Sequence, residues 1–152
     1  MTALVKRSIV VTLFPAALAW ATVCHAQSDP ASTAAAKEAG AVVTKSGLVY
    51  RSLKDGTGPQ PASTDRVRVH YKGTFPDGRE FDSSYKRSEP TEFPLSRVIP
   101  CWTEGVQLMK AGGKAKLTCP ASIAYGERGA GGVIPPNATL QFEIELLAIN
   151  SR

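Results

Sequence analysis

Few side chains in this sequence are placed for bond-making chemistry. The run Gly126-Glu127-Arg128-Gly129-Ala130-Gly131-Gly132 invites comparison with a phosphate-cradling loop. No Lys-Ser/Thr follows it, and Pro135-Pro136 stands where a helix with free N–H groups would have to start. It reads as a long surface loop. His70 is a candidate general base, but its neighbours Val69 and Tyr71 take the inward face of an alternating strand, which turns the imidazole outward. A Ser-His-Asp hydrolase would then depend on a solvent-facing base. Cys101 and Cys119 are not a Cys-x-x-Cys pair, which excludes thioredoxin-like chemistry. The chain holds 2 His, so no cluster reaches the ligand set of a zinc site, and no metal or other cofactor is expected.

What remains is a concentration of apolar side chains at strand ends and beside one helix: Tyr71, Phe81, Phe93, Val98-Ile99, Trp102, Tyr125, Ile134 and Phe142. Any one of them, taken singly, belongs in a core. Taken together, they would line a pocket where helix and sheet meet.

The elements that must hold this set are those of one domain. The chain has 152 residues, 43% of them hydrophobic and 20% charged, so wholesale disorder is excluded. Its 18 Lys+Arg against 13 Asp+Glu leave a formal charge of +5. No Lys/Arg run with interleaved aromatics turns that charge into a nucleic-acid or stable membrane surface.

Residues 1–26 read as a signal peptide. Lys6 and Arg7 precede an apolar run from Ile9 to Val23 that is broken only by Thr12, Pro15 and Thr22, and Cys24-His25-Ala26 supplies a cleavage site after Ala26. The run is shorter than the roughly 20 apolar residues of a spanning helix. Lipidation at Cys24 is not expected, because Val23 stands where a smaller residue is usual. The mature protein would start near Gln27, periplasmic or secreted, in an oxidising compartment. There Cys101 and Cys119 are either paired or two separate buried thiols. Pairing is the simpler expectation and would stabilise by roughly 3 kcal/mol on the chain-entropy model.

Residues 27–45 read as a flexible tether, since the Ala34–Gly40 stretch is too short to stand alone as a helix. The domain then occupies 46–152. Strands are expected at 48–53, 67–73, 80–83, 92–95 (held to an edge by Pro94), 114–120 and 140–146. One helix is expected from Pro100 to Met109, with Trp102, Val106 and Met109 on one face and Gly112-Gly113 ending it. This pattern predicts an α+β domain in which an antiparallel sheet wraps around one short helix.

Five motifs, in this order, resemble those of the FKBP-type peptidyl-prolyl cis-trans isomerases. They are Val69-His70-Tyr71-Lys72-Gly73, Phe81-Asp82-Ser83-Ser84, Val98-Ile99-Pro100-Cys101-Trp102-Thr103-Glu104-Gly105, Ala124-Tyr125-Gly126 and Ile134-Pro135-Pro136-Asn137-Ala138-Thr139-Leu140. The likeness runs from about Gly47 to Ile149, with a Ser-Gly-Leu-x-Tyr opening at Ser46 like that of secreted bacterial members.

The resemblance implies a five- or six-stranded curved antiparallel sheet and a pocket for a prolyl ring. Trp102 would be the floor, and Tyr71, Phe81, Val98, Ile99 and Phe142 the walls, with Phe93 and Ile134 beside them. Tyr125 resembles the tyrosine whose hydroxyl bonds a substrate carbonyl, and the Ile99 N–H resembles a second anchor. Asp82 matches the pocket aspartate and Arg87 its basic partner. The implied activity is rotation of X–Pro bonds in unfolded or partly folded polypeptides, with macrolides of the FK506/rapamycin type as pocket inhibitors. The other reading is a non-catalytic proline-binding chaperone module, since aromatic grooves also serve pure binders.

Three departures stand out. Cys101 replaces the usual glycine before the tryptophan, and Cys119 stands where an aliphatic residue is common. Ala130 lies near the tip of the loop over the pocket. The long helical dimerisation region of the macrophage-infectivity-potentiator type is not seen ahead of the domain, so a monomer is expected.

Overall fold

A computed structural model of the chain describes residues 29–150; the expected signal peptide and its cleavage site lie outside the described residues. Helix α1 (Pro30–Ala36) leads into strands β1 (Ala41–Val43), β2 (Val49–Lys54), β3 (Arg66–Thr74), β4 (Glu80–Ser83) and β5 (Thr91–Pro94). A 3-10 turn (Leu95–Arg97), helix α2 (Pro100–Gln107), strand β6 (Lys114–Cys119), a second 3-10 turn (Ala121–Ile123) and strand β7 (Leu140–Asn150) complete it. All pairings are antiparallel, in the order β1-β2-β6-β7-β3-β4, with β5 also on β3.

β3 and β7 form the spine. In β3, Val67, Val69 and Tyr71 point inward while Arg68 and Lys72 face water; in β7, Leu140, Phe142, Ile144 and Leu146 do the same inward work. This period of two buries one face of the sheet. Against it lies α2, whose Cys101, Trp102, Gly105 and Val106 are buried. The close approach needs Gly105: a Cβ there would fall 2.6 Å from Leu117 Cδ1.

One edge of β3 carries two short strands end to end. β5 pairs with residues 66–69 and β4 with residues 72–74. The gap at Tyr71 is filled by Ser84, whose N–H donates to the Tyr71 carbonyl (3.0 Å) and whose Oγ accepts from the Tyr71 N–H (2.8 Å). A serine side chain thus supplies the acceptor that a neighbouring strand would have offered.

The sheet wrapped on a short helix is as expected, with differences at its margins. The segment expected to be a free tether is folded from Pro30 onward. β1 forms a hairpin with β2 through the Thr44–Gly47 turn, so a boundary at residue 46 cuts a hairpin in two. Glu38 holds this segment down with ion pairs to Arg51 (2.6 Å) and Lys116 (2.9 Å), Ala35 is buried, and the Thr139 hydroxyl donates to the Asp29 carboxylate. β1 makes the strand count seven rather than five or six. β7 runs to Asn150, not 146, because it follows β3 past a bulge at Arg68/Val69. α2 ends at Gln107, although Met109 stays buried at 2% exposure.

Candidate functional site

Where α2 meets the β3–β4–β5 end of the sheet lies a cavity of about 350 Å³. Trp102, 4% exposed, forms its base. Three rings meet the indole edge-on: Tyr71 at 5.2 Å, Phe93 at 5.4 Å and Phe142 at 5.4 Å between centroids. Such T-shaped contacts set the positive rim of one ring against the negative face of another. Phe81 stands edge-on to Phe142 at 5.7 Å and is backed by Phe75. Gly73 leaves room for it, since a Cβ at that position would fall 2.5 Å from Phe81 Cζ. The Trp102 indole N–H is buried without a hydrogen-bond partner among the described residues. An unpaired buried donor costs about 1–3 kcal/mol, which a bound acceptor would relieve.

One corner of the cavity is polar and internally satisfied. The Tyr71 hydroxyl donates to Asp82 Oδ2. Arg87 donates to Asp82 Oδ1 at 2.8 Å and to the Tyr71 oxygen at 3.0 Å, and the Ser83 N–H reaches Asp82 Oδ1 at 2.8 Å. Burial pushes the Asp82 pKa up, but the Tyr71 hydroxyl and the Arg87 guanidinium outweigh it and hold the carboxyl below its usual range. Burial, followed by the hydrogen bond to Asp82, raises the Tyr71 phenol, which therefore stays a donor. Hydrogen bonds to Tyr71 and Asp82 raise Arg87 as well.

Tyr71, Phe81, Asp82, Phe93, Val98, Ile99, Trp102, Tyr125 and Phe142 all line this one cavity. Tyr125 is 39% exposed, on a loop pinned by the Gly126 N–H to Ala121 (2.8 Å) and the Asn137 N–H to the Gly126 carbonyl (2.8 Å). The Ile99 N–H makes no hydrogen bond among the described residues. Arg87 stands behind the wall, with its guanidinium 5.7 Å from the Tyr71 ring centroid. Ile134 does not line the central cavity. It lines an adjoining hollow with Phe81, Asp82, Tyr125 and Ala130, because the Ala130–Ile134 bridge folds the loop back on itself. His70 takes no part, being hydrogen-bonded to Ser84 (2.9 Å) and stacked on Tyr85 at 4.7 Å.

Two residues of the site carry no assignment from sequence reasoning. Arg97 lines the cavity; its only sequence signal is a lone basic residue just ahead of Val98-Ile99. Ser84 anchors Tyr71 from behind. Beneath the floor, a disulfide joins Cys101 in the first turn of α2 to Cys119 at the end of β6, with Cα atoms 5.8 Å apart. A roomier groove of about 650 Å³, between α1 and the 121–123 turn, has walls that include Ser32, Thr33, Ala36, Pro120 and Thr139 but no aromatic side chain.

Fold and site together define an antiparallel-sheet protein with an aromatic-lined cavity where its short helix meets the sheet. The family model for FKBP-type peptidyl-prolyl cis-trans isomerases matches residues 58–147, and the chain belongs to that family. It is 58% identical over 114 residues to the FKBP-type peptidyl-prolyl cis-trans isomerase FkpA of Aeromonas hydrophila, covering 75% of this chain and 42% of that one. It is 56% identical over 114 residues to the FKBP-type 22 kDa peptidyl-prolyl cis-trans isomerase of Escherichia coli (strain K12), covering 75% and 55%. The crystal structure of FkpA from Escherichia coli superposes with a TM-score of 0.76 at 49% identity, over 78% of this chain and 55% of that one. The chain spans about half the length of the curated relatives it matches.

Proposed function

We propose that the chain is a peptidyl-prolyl cis-trans isomerase acting on unfolded or partly folded polypeptides outside the cytoplasm. A prolyl ring enters the cavity and lies on Trp102. Rotation about the preceding bond is opposed by amide resonance, a barrier of about 18–20 kcal/mol. In the twisted state that resonance is lost, so the carbonyl oxygen carries less negative charge and gains less from water than the planar amide does. A dry apolar wall therefore favours the twisted state over the planar one, which is differential binding. Tyr71, Phe81, Phe93, Val98 and Phe142 exclude water. The Tyr125 hydroxyl and the Ile99 N–H hold flanking carbonyls, so that rotation is confined to one bond. Asp82, oriented by Tyr71 and Arg87, positions the ring's peptide and transfers no proton.

The observation that carries this reading is the edge-on ring cluster on a buried indole with a satisfied carboxylate at its rim. No covalent bond has to break, so the site needs no nucleophile. The test is an isomerisation assay on an X–Pro peptide with residues 27–152, with and without a macrolide of the FK506/rapamycin type. Accelerated exchange that the macrolide abolishes is the expected result. Peptide bound without acceleration would leave a proline-binding chaperone module.

The same reading has residues 1–26 removed on export and, as a separate point, the exported chain working as a monomer. Mass spectrometry of the exported protein and light scattering test these two points.

A further inference from the structure

Going beyond the isomerase reading but resting on its pocket, we propose that Arg97 selects substrates by charge, favouring segments with a carboxylate side chain next to the proline. Two charged side chains line the cavity, Asp82 and Arg97. Asp82 is neutralised in place by Arg87 at 2.8 Å. Arg97 enters no ion pair and donates no hydrogen bond among the described residues, so the mouth of the pocket carries one uncompensated positive charge.

The guanidinium is set on a rigid base. It ends the 3-10 turn Leu95–Arg97, whose Leu95 is fully buried. The Leu95 N–H is bonded to the Asp65 carbonyl (3.0 Å), and the Leu95 carbonyl accepts from Thr103 Oγ1 (2.7 Å). The start of α2 adds to the same field. Its N-cap, Ile99, offers no capping side chain, Pro100 follows it, and the first turn holds no acidic residue. A helix end left this way is partly positive. An arriving Glu or Asp side chain therefore meets an unpaired cation and a partly positive helix end, whereas Lys or Arg meets a like charge with only the already paired Asp82 to offset it.

The experiment uses residues 27–152 and C-terminally amidated peptides that differ only in Glu, Gln or Lys on either side of one proline. Both turnover and affinity, the latter by NMR titration, are read for the native chain, Arg97→Gln and Arg97→Glu. We expect the Glu peptide to exceed the Lys peptide by about two- to five-fold in kcat/KM and to bind about two- to five-fold more tightly, with the lower Kd, the size of an exposed ion pair. Arg97→Gln should bring the ratio to about one, Arg97→Glu should invert it, and added salt should erase it. Equal use of all the peptides by the native chain, or a preference that survives Arg97→Gln, overturns the proposal. Absence of turnover on every peptide would instead strike the isomerase reading, and the affinity ranking would still decide the role of Arg97.

Discussion

Asp82 separates two roles that Trp102 holds together. The indole is both pocket floor and core, so truncating it to alanine would cost about 3–5 kcal/mol of stability whatever its effect on turnover. The Asp82 side chain is 43% exposed and touches little of the core. Asp82→Leu is therefore expected to leave the melting temperature within a few degrees while lowering kcat/KM by about ten-fold, the worth of one charge-assisted hydrogen bond. Melting and peptide turnover measured on the same preparation check both halves. The carboxyl titrates below its ordinary range, so turnover should be flat from neutral to alkaline pH and decline only as the pH falls below about 4. A bell-shaped profile centred near neutrality would instead mean proton transfer. Asp82 came only with the resemblance carried by Phe81-Asp82-Ser83-Ser84, whereas Tyr71 was legible from strand alternation and Trp102 from a helix face. Ser84 was not, because its role exists only where β4 and β5 leave a gap in β3. Nor was Arg97, an ordinary surface residue until the 3-10 turn aims it at the cavity.

At the scale of elements, the sequence misleads where stability comes from far away. The estimate that a turn or two of helix cannot stand alone is sound for an isolated peptide. Here α1 does not stand alone: Glu38, just beyond it, pairs with Arg51 and Lys116, which lie 13 and 78 residues further along the chain. Lys116 first, then Arg51, hold its carboxyl below the usual glutamate range against the opposing effect of burial. Docking of residues 30–43 should accordingly be firm above the ordinary glutamate value of about 4.3 and weaken as the pH drops through the lowered one. Glu38→Gln should cost about 1 kcal/mol and speed amide hydrogen exchange in residues 30–43 selectively. In α2, the interior glycine sets two effects against each other. Alanine would gain about 1 kcal/mol in helix propensity, but its Cβ would press on buried Leu117, and overpacking costs about 1–3 kcal/mol. We expect Gly105→Ala to be a net loss, read as a lower denaturation midpoint.

For the whole molecule, an antiparallel sheet with one helix on its inner face followed from the alternation in β3 and β7 and from the Pro100 and Gly112-Gly113 boundaries; the order of its strands did not. The seventh strand and the folded approach to the domain did not, since a three-residue edge strand carries almost no periodic signal. The Cys101–Cys119 link ties the helix under the floor to the strand leading toward Tyr125, so it braces both sides of the pocket. Replacing both cysteines by serine should lower stability by roughly 3 kcal/mol, checked by urea unfolding. The link also writes the history of each copy into its covalent structure. On a denaturing gel run without reductant, a copy matured where thiols are kept reduced would travel as an open chain, while one that passed through an oxidising space, closed into a loop between cysteines 18 residues apart, would run slightly ahead of it. Two bands from one gene would then be a ledger of where each copy matured.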